Sequence, residues 1–187
     1  WAIKDLNFTI SAGECIGLIG NNGSGKTTLL KLLYNIMYLS EGKLETTKRI
    51  AGILEGSVAY HHELTGRENL DTLATLMNMT KPEIAEKSER IIEFSELGTM
   101  IDSPTKFYSQ GMLMRLAWAI LLHTDNDVYL LDEAAVNIDS RFYQKCLGVL
   151  KTKRDKENKA IILTSHQNDN LTDICNRIIQ LEHGKII

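Results

Sequence analysis

Apolar positions fall along this chain in two rhythms. Leu6, Phe8 and Ile10 alternate with polar residues, the period of a half-buried strand. Ser11-Ala12-Gly13 turns that strand toward a second apolar run, Cys15-Ile16-Gly17-Leu18-Ile19, so a hairpin is expected there. A helix-like stretch, Leu29-Leu30-Lys31-Leu32-Leu33, follows; Ser40-Glu41-Gly42 makes a turn, and Ile50 to Leu54 reads as a strand ending at Glu55. From Thr65 the period lengthens from two to nearly four. Thr65-Gly66-Arg67-Glu68 is a capping box, in which Thr and Glu each satisfy a free backbone N–H, and its helix is expected to run to about Asn78. Thr80-Lys81-Pro82-Glu83 opens another, with Pro82 in the first turn, where its missing N–H costs nothing. Ile84, Ser88, Ile91, Ile92 and Ser95 share one face of it.

Residues 65 to about 122 are thus mostly helical, inserted between two strand-rich parts of one domain spanning 1–187. Strands resume at Val128 to Leu131, which ends in Asp132-Glu133, and at Ala160 to Leu163, followed by Thr164-Ser165-His166. Between them Phe142, Cys146 and Leu150 mark a helix whose far end, Lys151 to Lys156, is expected to be solvated. Arg177 to Leu181, Glu182-His183-Gly184 and Lys185 to Ile187 read as a closing β-hairpin. The fold class expected is α/β, with an inserted helical subdomain.

Bulk properties narrow the picture only slightly. A chain of 187 residues with 43% hydrophobic and 24% charged positions fits one soluble domain with a sizeable core. A net charge of −3 gives no reason to expect nucleic-acid binding. The longest apolar run, Leu113 to Leu122, contains Arg115 and is too short for a membrane span. Cys15, Cys146 and Cys175 lack metal-ligand spacing and read as reduced core thiols of a cytosolic protein. The chain begins at Trp1 and closes on an apolar strand, so both ends read as trimmed.

The chemistry concentrates in Gly20-Asn21-Asn22-Gly23-Ser24-Gly25-Lys26-Thr27-Thr28, set between a strand and a helix. That order is the context of a phosphate-binding P-loop: glycines let backbone N–H groups and the helix N-terminus converge on an anion. Lys26 would reach the β- and γ-phosphates of a nucleoside triphosphate, and the Thr27 hydroxyl would hold Mg²⁺. Asp132 stands at the C-terminal end of a hydrophobic strand, where a carboxylate would complete the metal's shell. Glu133, one residue on, is placed to take a proton from the attacking water as general base. Without the P-loop, the pair would read equally well as acids capping a loop. His166 follows a strand to the same sheet edge and is a candidate for holding the γ-phosphate and the water, against the blander reading of a surface histidine. His61, His62, His123 and His183 receive only the bland reading. Tyr108-Ser109-Gln110-Gly111-Met112 is a second phosphate-binding feature, with Ser109 as helix cap and Gly111 permitting close approach of an anion; a plain capped helix is the alternative. If one chain cannot bring both features onto one phosphate, the second serves a nucleotide held by another chain, which points to a two-fold dimer with ATP between subunits.

Together these segments resemble the ATPase domain of ABC transporters over essentially the whole chain. A finer likeness joins Glu63-Leu64-Thr65-Gly66-Arg67-Glu68-Asn69, the Tyr-Ser-x-Gly-Met signature with Arg115-Leu116 behind it, Phe142-Tyr143-Gln144-Lys145-Cys146 and Trp1-Ala2-Ile3-Lys4-Asp5-Leu6. These are similar to the branch that exports teichoic acids, O-antigens and capsular polysaccharides. The resemblance implies a P-loop core sheet with an antiparallel β-subdomain, ATP and Mg²⁺ as ligands, and a site at the cytoplasmic face of the membrane. It also implies an integral membrane permease as partner and teichoic acid as leading cargo. Glu55, a candidate metal ligand, stands where most of the family has a glutamine, Gln110 replaces the commoner small signature residue, and Asn137 stands where the branch usually has glycine. Asp139 matches the family's dimer-contacting aspartate, and the adenine-stacking aromatic residue is expected upstream of Trp1. Rival readings are a soluble ATPase of this type acting on DNA or the ribosome, usually marked by a coiled-coil insertion or a second cassette, and a regulatory nucleotide sensor without turnover.

Overall fold

Five strands run parallel in one sheet: four are apolar runs with both faces covered, which need no polar alternation, and the fifth alternates exposed and buried residues. They are β1 (Cys15–Ile19), β2 (Ile50–Ile53), β3 (Val128–Leu131), β4 (Ala160–Ser165) and β5 (Arg177–Glu182), ordered β2-β3-β4-β1-β5, with β6 (Lys185–Ile186) antiparallel on β5. This computed structural model describes residues 2–54, 58–133, 138–165, 171 and 173–187. The chain divides into two compact units, one of Trp1–Glu55, Asn126–Ala134 and Leu150–Ile187, the other of Gly56–Asp125 and Ala135–Val149.

In the first unit, α1 (Lys26–Leu33) lays Leu29 and Leu30 on a core of Ile16, Leu18, Leu130, Ile162 and Leu181. His183 and Gly184 both have positive φ (47° and 76°), the backbone of a two-residue hairpin turn between β5 and β6. The hairpin expected from residues 6–10 onto β1 is not formed. Leu6, Phe8 and Ile10 keep their alternation as partly buried residues against the core. However, β1 is already paired with β4 on one side and β5 on the other, both parallel, so it has no edge to offer. In the charged stretch after Leu150, Thr152, Asp155 and Lys156 are exposed as expected, but Lys153 is not. Lys153 is only 7% exposed, its ammonium 5.1 Å from the centre of the Tyr129 ring and 3.5 Å from Glu157. Its aliphatic stem buries while its charge keeps an aromatic and an acidic neighbour.

The second unit is built on α2 (Gly66–Leu76), α3 (Lys81–Ser95), α4 (Gln110–His123) and the first part of α5 (Ser140–Glu157). Its helix starts are those the sequence marks. Thr65 Oγ1 accepts from Glu68 N (3.2 Å) while Thr65 N donates to Glu68 Oε2 (2.8 Å), and Thr80 N donates to Glu83 Oε2 (2.7 Å). Buried Asn69 ties the preceding loop to α2: its amide donates to the carbonyls of His61, Leu64 and Thr65, and its oxygen accepts from His61 N. Buried Ile84, Ile91, Ile92 and Ser95 form the inner face of α3, as their spacing requires. Cys15 and Cys146 are buried free thiols, and burial pushes Cys146 up to about 12. Cys175 is half-buried, with its sulfur 3.3 Å from that of Cys15.

Candidate nucleotide site

At the end of β1 the chain must reverse tightly into α1, and two glycines make this possible for different reasons. A Cβ on Gly20 would stand 2.3 Å from the Leu181 carbonyl oxygen, so close backbone approach excludes any side chain. Gly23 has open space but φ of +78°, which L side chains rarely adopt. Asn21, Asn22 and Gly23 are exposed, Ser24 and Lys26 are buried, and Gly25, Thr27 and Thr28 are half-buried. The N-cap of α1 is Gly25, with no capping side chain, unlike the starts of α2 and α4. The first N–H groups of α1 therefore remain available to an anion. Lys26 Nζ, only 5% exposed as a residue, donates to the carbonyls of Gly20 (2.6 Å) and Asn21 (3.2 Å), and so lies folded across its own loop. The loop lines a cavity of about 280 Å³ together with Gln180, Leu181, Glu182 and His183. His183, read from sequence as an ordinary surface residue, thus stands at the loop's side.

The acidic pair lies past the end of β3. Asp132 N donates to the Ile53 carbonyl (2.9 Å), which continues the β2–β3 pairing by one residue. Its carboxylate is divided in use: Oδ1 accepts from Thr164 Oγ1 at 2.6 Å, whereas Oδ2 is buried and has no hydrogen-bond partner among the described residues. Glu133 adopts φ of +47°, and its N–H donates to the same Thr164 hydroxyl at 2.9 Å. Thr164, buried on β4, has no motif to mark its role; the pairing of β3 with β4 brings it to the acidic pair.

A buried anionic oxygen without a donor is costly unless a cation faces it. The residues fit Mg²⁺ on that ground, with Thr27 as hydroxyl donor and Asp132 as carboxylate. Among the described residues no group of three or more His, Cys, Asp or Glu could hold a metal. Phosphate oxygens and water would have to supply the remaining ligands, as they commonly do for this ion. Glu55, His166 and Asn137 lie outside the described residues.

The signature segment belongs to the second unit. Ser109 Oγ accepts from Met112 N (3.2 Å) and so caps α4; Ser109 and Gln110 are exposed, Gly111 and Met112 half-buried. Asp139 opens α5, its Oδ1 accepting from Phe142 N (3.0 Å) and its Oδ2 from Arg115 Nη2 (2.5 Å). Arg115 also reaches Glu96 (3.3 Å), and Lys145 pairs with the same Glu96 (2.9 Å). Asp139, matched by resemblance to a partner-facing aspartate, is engaged by its own unit as helix cap and ion-pair member.

The sequence profile of the family described as "ABC transporter" matches residues 3–136. This chain belongs to the ABC transporter family. Its ATP-binding relatives include the O-antigen export system ATP-binding protein RfbB of Klebsiella pneumoniae, 37% identical across 99% of this chain and 75% of that protein. The ABC transporter protein AbcA of Aeromonas salmonicida is 37% identical over 100% of this chain and 60% of its own length. The teichoic acids export ATP-binding protein TagH of Lactococcus lactis shows the same 37% identity over 100% of this chain, which spans 40% of it. The fold is that of the ABC cassette. A dimeric ATP-binding cassette in a post-hydrolysis state, bound to ADP and Pi, superposes with a TM-score of 0.83 at 22% identity, covering 99% of this chain and 88% of that one. The α/β P-loop architecture and the family expected from the motifs are thus both found.

Proposed function

We propose that this chain is the ATP-hydrolysing subunit of an exporter for a surface polysaccharide, O-antigen or teichoic acid in type. One observation carries the hydrolytic part: the uncapped, glycine-shaped start of α1 stands at the same sheet edge as Asp132, whose Oδ2 is buried and without a partner among the described residues. The relatives' names support the cargo class, and O-antigen and teichoic acid exporters match this chain at the same identity.

On this reading the backbone of residues 20–28 binds the triphosphate, and Lys26 leaves its loop carbonyls for phosphate oxygens. Thr27 and Asp132 hold Mg²⁺, which when bound neutralises phosphate charge. Glu55 is a further candidate for the metal. Glu133 takes the proton from the attacking water, and His166 steadies the water and the γ-phosphate. Ser109, Gln110, Gly111 and Met112, with Asp139 nearby, serve the nucleotide of a second copy. ATP closes the dimer and hydrolysis lets it open, a movement passed to an integral membrane permease at the cytoplasmic face of the membrane. Among the described residues no helix is long and apolar enough to cross a membrane.

Complementation of cells lacking the chain tests the proposal. Wild type should restore surface polymer, and Lys26→Ala, expressed at the same level, should leave it inside. Restored export by Lys26→Ala would contradict the reading.

A further inference from the structure

Thr164 has one hydroxyl, and it both donates to and accepts from the acidic pair. It donates to Asp132 Oδ1 at 2.6 Å and accepts from Glu133 N at 2.9 Å. Both partners are at positions that need holding. Asp132 has a second oxygen, buried and without a partner among the described residues, whose direction depends on how the first is tethered. Glu133 sits at φ of +47°, a left-handed backbone that a side-chain-bearing residue keeps only when its surroundings impose it. Thr164 is 5% exposed, and its bond to Asp132 is buried. In shape threonine matches valine, and valine would satisfy a buried position among the apolar residues of β4. The hydroxyl is therefore what the acidic pair requires of this position, not the sheet.

We infer that Thr164 is a positioning residue for hydrolysis: its hydroxyl aims the free oxygen of Asp132 at the metal position and fixes the turn that presents Glu133. This rests on the hydrolytic reading proposed above. Loss of the hydroxyl should act on turnover and on the benefit ATP binding draws from Mg²⁺, and should leave binding of metal-free ATP nearly unchanged. A group one bond removed from a metal ligand commonly changes affinity or activity by roughly 10- to 100-fold when deleted.

The test compares Thr164→Val and Thr164→Ser with wild type and Asp132→Asn in the intact protein. Phosphate release gives kcat and KM, calorimetry gives ATP affinity with Mg²⁺ and with chelator, and hydrogen exchange follows the Glu133 amide without nucleotide. Thr164→Val should lose roughly 10- to 100-fold in kcat. It should also lose most of the Mg²⁺-dependent gain in ATP affinity and expose the Glu133 amide to faster exchange. Thr164→Ser should stay near wild type in all three. Should Thr164→Val not fold, Thr164→Ala replaces it against the same serine variant. Wild-type kcat and amide protection in Thr164→Val beside an inactive Asp132→Asn would remove Thr164 from the role and leave the hydrolytic reading standing. Equal losses in the valine and serine variants would also overturn it, because packing and not the hydroxyl would then be at fault. Full hydrolysis by Asp132→Asn would remove the parent reading and this inference together.

Discussion

Lys26, proposed above to bind phosphate, is held within its own loop. Its ammonium is buried, and two carbonyls of the loop it belongs to share its protons. A phosphate would replace them with charged acceptors, and a hydrogen bond to a charged group contributes about 1.5–3 kcal/mol. Lys26→Ala should therefore weaken ATP binding by roughly 10- to 100-fold in calorimetry; unchanged affinity would place the phosphates elsewhere. Asp139 makes a second case. Its carboxyl is held below the ordinary value of 3.8, first by the Phe142 N–H and then by the Arg115 guanidinium. The folded chain thus binds this proton less readily than the unfolded one. The stabilisation is complete above the ordinary value and is lost as pH falls through the lower folded one. Arg115→Met should move the Asp139 titration, followed by NMR, upward toward 3.8. A titration that stays put would show that the arginine contributes nothing.

Elements differed in how far they could be read, and the reason lies in what defines each. Helix starts depend on a few neighbouring residues, so Thr65, Thr80 and Ser109 announced α2, α3 and α4 before any contact was known. Buried parallel strands were legible as apolar runs, and the glycine spacing marked the loop between β1 and α1. Pairing partners were not legible, because they depend on which strand edges are free. That is why Leu6, Phe8 and Ile10 suggested a hairpin that the doubly paired β1 cannot accept. The same blindness hid Thr164, whose significance comes from a neighbour 32 residues away in sequence. Gly66 is a further example. At the start of α2 it faces Tyr108 so closely that a Cβ would lie 2.2 Å from the phenol oxygen, itself fixed by a bond to the Met100 carbonyl (2.6 Å). Gly66→Ala should destabilise the protein by about 1–3 kcal/mol through overpacking. Urea denaturation would check this, and an unchanged midpoint would mean that Tyr108 yields freely.

For the whole molecule the question is whether one chain suffices. The phosphate loop and the Ser109 segment belong to different compact units, and the proposed dimer gives each copy's signature to the other's nucleotide. Lys26→Ala removes one half of a composite site and Ser109→Arg the other, so a mixture should regain activity that neither variant has alone. Mixed dimers without such recovery would argue against sharing. The central claim, however, is that Glu133 drives hydrolysis at this loop, and Glu133→Gln addresses it most directly. With Mg²⁺ and ATP, phosphate release should fall by roughly 10²- to 10⁴-fold, the span of a lost general base, while ATP affinity holds and scattering finds an ATP-bound dimer. Release at near the wild-type rate would contradict the account.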